Sequence, residues 1–306
     1  MAETAACKSP ARWSRHRERG SLLLLRLMAL FSLRMGRRAG RVVLYGIAAY
    51  FFLFAPRARR ASREYLRRVL GRPARASERF RQLMSFATTI HDRLYLLNGR
   101  FDLFDIEVRG DEAMHERLRR GGGALLFGAH LGSFEVTRAI GGRRPGTRVM
   151  MTMYEHNARK INAALQSINP AAAADILPLG DDPLALLKVR EQLEQGVFVG
   201  MLADRTPGAE PTETVCFLGA PARFPTGPFR TAALLGRPVI LMLGLYLGGN
   251  RYRVVFEPLA EFAGVARGQR EAAIRAAIAR YAARLEHYCR AHPDNWFNFY
   301  DFWAHA

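Results

Sequence analysis

The feature that most restricts the fold is an alternation that begins near residue 124. Short apolar runs at 124–128, 148–153, 176–179, 197–202 and 239–247 read as strands, and helical stretches at 132–140, 158–167, 183–195 and 227–235 fall between them. Strand followed by helix, repeated, builds a sheet of parallel strands with helices on its faces. Upstream, 106–110 is a further short strand, followed by a polar helix to about residue 120 that Gly121-Gly122-Gly123 terminates. Downstream, 251–256 alternates polar and apolar residues, as an edge or antiparallel strand does. Ile274, Ile278, Tyr281, Leu285 and Tyr288 form one stripe of a helix over 271–290. The expected fold class is α/β, a central mostly parallel sheet flanked by helices, preceded by a helical amino-terminal region.

In that region 62–70 and 77–97 read as helices. The second repeats Phe80, Leu83, Met84, Ala87, Ile90, Leu94 and Leu97 at helical spacing and ends at Asn98-Gly99. Two apolar stretches come earlier. The first, 22–31, is interrupted by Arg26. The second, 42–56, is uncharged and carries Tyr45, Tyr50, Phe51, Phe52 and Phe54. It is shorter than the roughly 20 residues a spanning helix needs. Arg37, Arg38 and Arg41 flank it on one side and Arg57, Arg59 and Arg60 on the other, a pattern that suits an interfacial or re-entrant helix. A buried core helix is the competing reading. A cleaved signal peptide is disfavoured by Arg26 and by the lack of a small-x-small pattern. The chain thus divides into a basic tail over 1–20 without expected order, a helical membrane-associated region over 21–100, and an α/β domain over 101–306.

Lys and Arg number 46 against 27 Asp and Glu, a formal net charge of +19, which calls for an anionic partner: nucleic acid, anionic lipid or an acidic protein. Nucleic acid is disfavoured because no glycine-rich or basic-aromatic module is present. Cys7, Cys216 and Cys289 lie too far apart for a disulfide framework or a zinc motif. His287, Cys289 and His292 are close in sequence, but His287 and Cys289 point apart on a helix, so no metal is expected.

In an open α/β sheet, ligands bind beyond the carboxyl ends of the strands. His130 falls just past the strand 124–128, and Glu135 in the first turn of the next helix. On one straight helix two positions five apart diverge by roughly 140°. The pair meets only if His130 lies in the turn, which Ala129, Gly132 and Ser133 permit. Such a pair suits transfer of an acyl group to a hydroxyl. The His takes the hydroxyl proton, a carboxylate on its far nitrogen fixes the tautomer, and no Ser or Cys nucleophile is needed. The rival reading is a His at a strand end and a Glu set favourably at a helix start, because this spacing also arises by chance.

Several blocks occur in order: 58–66, Phe127-Gly128-Ala129-His130-Leu131-Gly132-Ser133-Phe134-Glu135, Gly200-Met201-Leu202-Ala203-Asp204-Arg205, and 217–228. Through them the chain resembles the late acyltransferases of lipid A biosynthesis, within the lysophospholipid acyltransferase superfamily. The resemblance implies an acyltransferase domain over 101–306, with the His-x4-Asp/Glu dyad on His130 and Glu135. It implies an acyl thioester donor on acyl carrier protein or coenzyme A, and a lipid or glycolipid acceptor. It also implies work at an anionic membrane surface, the cytoplasmic face of a bacterial inner membrane, and no metal or redox cofactor. By the same resemblance Asp204 and Arg205 line the substrate groove, although a turn ion pair is the plainer alternative. Thr226-Gly227-Pro228 opens a helix whose N–H groups could hold an oxyanion or phosphate, or is an ordinary helix start. Arg223 could contact a phosphate. Tyr154-Glu155-His156-Asn157 looks like another family block, which makes Asn157 and nearby Arg159 candidates for substrate binding. Two departures stand out. Gln166-Ser167-Ile168-Asn169 occupies a region where the lipid A enzymes commonly carry an arginine, and the aromatic end 295–303 lacks their basic residues. They leave two alternatives open: a side-branch acyltransferase for a non-lipid A product such as a polyene-type lipid, and a non-catalytic basic membrane-bound α/β protein.

Overall fold

The computed structural model describes residues 22–137, 148–154, 176–179, 184–205 and 210–303. Its centre is a seven-stranded sheet built from β1 (Asp105–Arg109), β2 (Leu125–Gly128), β3 (Val149–Tyr154), β4 (Ile176–Leu179), β5 (Phe198–Leu202), β8 (Val239–Tyr246) and β9 (Arg251–Ala260). The order across the sheet is β1-β9-β8-β2-β5-β3-β4. From β8 to β4 the strands are parallel. Only the β8–β9 pair is antiparallel, and β1 runs parallel to β9. The expected mostly parallel α/β sheet is therefore present, with 251–256 as the start of the antiparallel β9.

Every residue of β2, Leu-Leu-Phe-Gly, is buried. It lies between β5 and β8, pairing Leu125 with both Val199 and Val239. A strand covered on both faces needs apolar side chains in both directions, which is why it reads as an unbroken run. Helices α4 (Glu112–Arg119), α5 (Leu184–Glu194) and α6 (Gly227–Leu235) lie between strands, and α7 (Arg270–Ala291) buries Ile274, Ile278, Tyr281 and Leu285 in the main core. The Tyr281 hydroxyl donates to the Gly128 carbonyl at 2.7 Å, tying this helix to the end of β2. One element has no counterpart in the expectations. A separate hairpin, β6 (Thr212–Phe217) and β7 (Ala220–Pro225), turns through Leu218 and Gly219. Both have positive φ, at 51° and 76°, as tight hairpins require.

The amino-terminal region is helical, as expected. The helix α1 (Leu22–Phe54) breaks at Gly36, whose φ of 83° and ψ of 166° lie outside the helical region. Its second half packs on α3 (Ala76–Leu97) through Leu44 and Ala48. Gly40 permits the approach, because a Cβ there would sit 2.3 Å from His91 Nε2. The other side of α1 leaves Val42, Tyr45, Tyr50, Leu53 and Phe54 exposed. The segment 42–56 is thus covered on one face only. At Pro56 the chain bends by 92° into α2 (Pro56–Leu70). No single helix among the described residues is long and apolar enough to cross a membrane, although the bent pair meets the length and composition together.

Candidate active site

The site forms where β2 and β5 end side by side. The Gly128 carbonyl accepts from the Ala203 N–H at 3.1 Å, which brings the two residues that follow β5 against those that follow β2. The loop after β2 is then pinned on two sides. The Ser133 N–H donates to the Gly244 carbonyl of β8 at 2.7 Å, and the Gly132 N–H to the Asn295 carbonyl at 2.9 Å. The Phe297 N–H donates to the His130 carbonyl at 2.8 Å, so residues 295–297 lie along the loop like a short strand. Gly132 has φ of 72°, and a Cβ there would sit 1.9 Å from the Gly244 oxygen. Only glycine satisfies both the conformation and the contact.

Within this frame His130 Nδ1 lies 2.8 Å from Asp204 Oδ1. The other oxygen, Oδ2, accepts from the His130 backbone N–H at 3.1 Å and from the Trp296 indole Nε1–H at 3.1 Å. The Asp204 side chain has no exposed surface, whereas the His130 side chain keeps 36% of its own. A carboxylate on Nδ1 selects the tautomer with its proton there and leaves the Nε2 lone pair for a substrate. No described residue bonds Nε2.

The charges tune both groups. Burial pushes Asp204 upward, but the adjacent His130, then Arg205 and the Trp296 N–H, outweigh it and hold the carboxyl far below the usual carboxylate range. Burial, followed by the Arg205 charge, moves His130 below 6.5 against the opposing pull of Asp204 and Glu135. The imidazole is therefore neutral near pH 7, the form that can accept a proton.

The carboxylate that bonds the His130 ring in the structure is Asp204, while Glu135 bonds elsewhere. Glu135, the first residue of a 3-10 turn over Glu135–Thr137, forms an ion pair with Arg93 Nε of α3 at 2.8 Å and accepts from Ser133 Oγ at 3.2 Å. The tight loop before it, fastened to Gly244, directs its carboxylate toward α3 instead of the ring nitrogen. Asp204, expected in the substrate groove, is sealed beneath His130 and has no surface to offer an acceptor. Arg205 is largely committed as well. Its guanidinium donates to the Phe297 carbonyl at 2.6 Å and lies over the Tyr300 ring at 5.4 Å.

The remaining candidates scatter. Thr226 is buried, and both its N–H and its hydroxyl donate to the Pro211 carbonyl. It precedes α6 (Gly227–Leu235). The Glu210 carboxylate lies 3.7 Å from where a Gly227 Cβ would be, so that helix start already faces a negative group. Arg223 is exposed on β7 opposite Thr214. Asn157 and Arg159, and the helix expected at 158–167, lie outside the described residues. On α7, Cys289 is fully buried, its thiol pushed well up by desolvation, while His292 sits beyond the helix end.

Across 12–305, nearly the whole chain, the sequence matches the family described as bacterial lipid A biosynthesis acyltransferase. The chain belongs to that family. No curated protein matches it significantly. Membership supports an acyltransferase, with an acyl donor and a lipid acceptor in general terms. Of the residues gathered around His130, the sequence reading singled out Asp204, Glu135, Arg205 and the turn residue Ser133, but neither Trp296 nor Arg93. Asp204 was recognised but assigned to the acceptor. One signal was available, since Asp204 directly follows a strand and could sit beside His130 if those strands were neighbours. Nothing comparable marked Trp296, which stands 92 residues beyond Asp204.

Proposed function

We propose that the protein is an O-acyltransferase that moves a fatty acyl group from a thioester, on acyl carrier protein or coenzyme A, to a hydroxyl of a lipid A-type glycolipid. The observation that carries this reading is the 2.8 Å contact between His130 Nδ1 and the buried Asp204, with the far side of the ring open. His130 Nε2 takes the proton of the acceptor hydroxyl as its oxygen attacks the thioester carbonyl. The C–S bond of the tetrahedral intermediate then breaks, and the departing thiolate takes that proton from the imidazolium. The products are an ester and a free thiol, and the enzyme returns unchanged. Asp204 holds the tautomer and stabilises the imidazolium. Glu135, tied to Arg93 and Ser133, braces the wall of the loop and adds negative potential near the ring.

The amino-terminal helices suit the aqueous side of a membrane. The exposed Val42, Tyr45, Tyr50, Phe51, Leu53 and Phe54 of α1 enter the interface, and exposed Arg57, Arg60 and Arg63 of α2 follow the bend. An apolar face beside a row of Arg matches acyl chains beside anionic headgroups. These features support action at the cytoplasmic face of a bacterial inner membrane.

The test supplies acyl carrier protein or coenzyme A thioesters and a lipid A precursor in detergent micelles. Thiol release and the product mass are measured together. His130→Ala should lose roughly 10²–10⁴-fold in rate, the share of a general base. Near-normal transfer by that variant would overturn the mechanism. An ester found only on an acceptor unrelated to lipid A would overturn the acceptor assignment alone.

A further inference from the structure

We infer that Trp296 is a positioning residue of the acyl-transfer site, its indole N–H fixing Asp204 Oδ2 so that Oδ1 stays on His130 Nδ1. The inference rests on the proposed reading of His130 as the base. It concerns what holds the carboxylate that holds the base.

Asp204 has two oxygens and two tasks. Oδ1 bonds the ring, and Oδ2 is anchored by two N–H groups, the His130 amide and the Trp296 indole, each at 3.1 Å. Arg205 Nε is farther, at 3.8 Å from Oδ2. Without the indole, one backbone amide remains to set the angle of the carboxylate. A buried carboxylate short of a donor leans harder on those left, so its bond to Nδ1 is misaligned while its charge stays beside the ring.

Trp296 is itself closely packed. It has no exposed surface, and its ring meets Tyr65 and Phe302 at 5.0 Å and Phe217 at 5.4 Å, each edge to face. Its carbonyl accepts from the Gln82 side chain of α3 at 2.7 Å, and Gln82 in turn accepts from the Ser62 hydroxyl of α2. Its neighbours in the chain bond the His130 loop from the other side. The same three-residue segment therefore sets the position of His130 through its backbone and that of Asp204 through its indole. Such outer partners orient a reactive group without touching substrate.

The indole N–H also withdraws charge from the carboxylate. Removing it concentrates that charge toward Nδ1 and favours the imidazolium. Other groups face the pair: Arg205 at the end of β5, Glu135 with Arg93 of α3, Tyr281 and Cys289 of α7, and Tyr300 under the Arg205 guanidinium. A change at Trp296 leaves all of them in place. The acid limb of the rate profile then moves up while turnover falls.

The experiment compares Trp296→Phe with Trp303→Phe. Trp303 belongs to the same aromatic cluster, but its indole donates to the Phe217 carbonyl at 3.4 Å and touches neither His130 nor Asp204. The full-length protein is assayed for kcat and KM across pH. Trp296→Phe should lower kcat roughly tenfold, the size of one lost orienting hydrogen bond, with KM nearly unchanged. It should also raise the apparent pKa of the acid limb, and Trp303→Phe should do neither. If Trp296→Phe does not fold, 3-benzothienylalanine at position 296 keeps the shape and removes only the N–H. The inference is overturned if the position-296 variant keeps both kcat and the acid limb, or if Trp303→Phe shifts them equally. Normal transfer by His130→Ala would instead remove the functional reading on which it rests.

Discussion

Two buried carboxylates organise this protein, and they differ in the partner that each one holds. Asp92 of α3 and Asp204 after β5 are both without exposed surface. Asp92 meets Arg37 of α1 through two bonds of 2.6 and 2.7 Å and accepts from the Tyr252 hydroxyl of β9 at 2.7 Å. Arg37 also donates to the Gly249 carbonyl in the β8–β9 turn. One carboxylate thus joins α1, α3 and the far side of the sheet. Its partner Arg37 keeps its charge at every accessible pH and is 11% exposed. Asp204 instead meets a ring that can gain and lose a proton and stays open on one side. Equal burial therefore gives two arrangements, one closed on a fixed charge and one open beside a titratable ring. The partner's capacity to titrate, and its access to solvent, decide which one results.

That comparison can be broken most directly at Asp204. Asp204→Asn should cost about 10²–10⁴-fold in kcat, because a neutral amide neither enforces the tautomer nor stabilises the imidazolium. Asp92→Asn should act in the opposite register. It leaves Arg37 buried without its counter-charge, and losing one partner of such a pair costs about 3–5 kcal/mol of stability. Activity per folded molecule should survive. Thermal melts set against single-turnover rates would show it, and an Asp92 variant as inactive as the Asp204 variant would erase the distinction.

Glu135→Gln sharpens the comparison by asking which carboxylate serves His130. Glu135 is partly exposed and paired with Arg93, so its replacement should lower kcat by about tenfold at most, in line with a weakly buried pair. A loss equal to that of Asp204→Asn would return the orienting role to Glu135.

The smallest expected effect is in pH dependence. The pKa of His130 is lowered on folding, chiefly by burial and then by Arg205. The rate kcat/KM should therefore rise with pH along an acid limb centred below 6.5 and level off above it. The linked stability has the same sign. Between the folded value and 6.5 the unfolded chain binds more protons, so stability falls as pH drops through that window. An acid limb above 6.5 would mean that Asp204 outweighs burial.

Much of the fold was readable because it depends on local pattern. The strands β1, β2, β5 and β8 and the helices α3, α6 and α7 follow the apolar periodicity of the chain. The hairpin β6–β7 escaped because its turn uses Leu218, not one of the usual turn formers, in a left-handed conformation. The helix expected over 132–140 begins as a 3-10 turn because Gly132 and Ser133 are drawn to Gly244 of a distant strand.

The sequence by itself determined that a histidine would stand just beyond a buried strand, because an unbroken apolar run followed by Gly, Ala and His admits few other arrangements. It also determined the family. Tertiary structure alone decided the partner of that histidine. Spacing favoured Glu135, five residues away, but hydrogen bonds depend on distance in space. The neighbouring of β2 with β5 brings Asp204 across 74 residues, and the return of the chain end brings Trp296 across 92 more. Which carboxylate is buried, and so which one bonds the ring, follows from that packing.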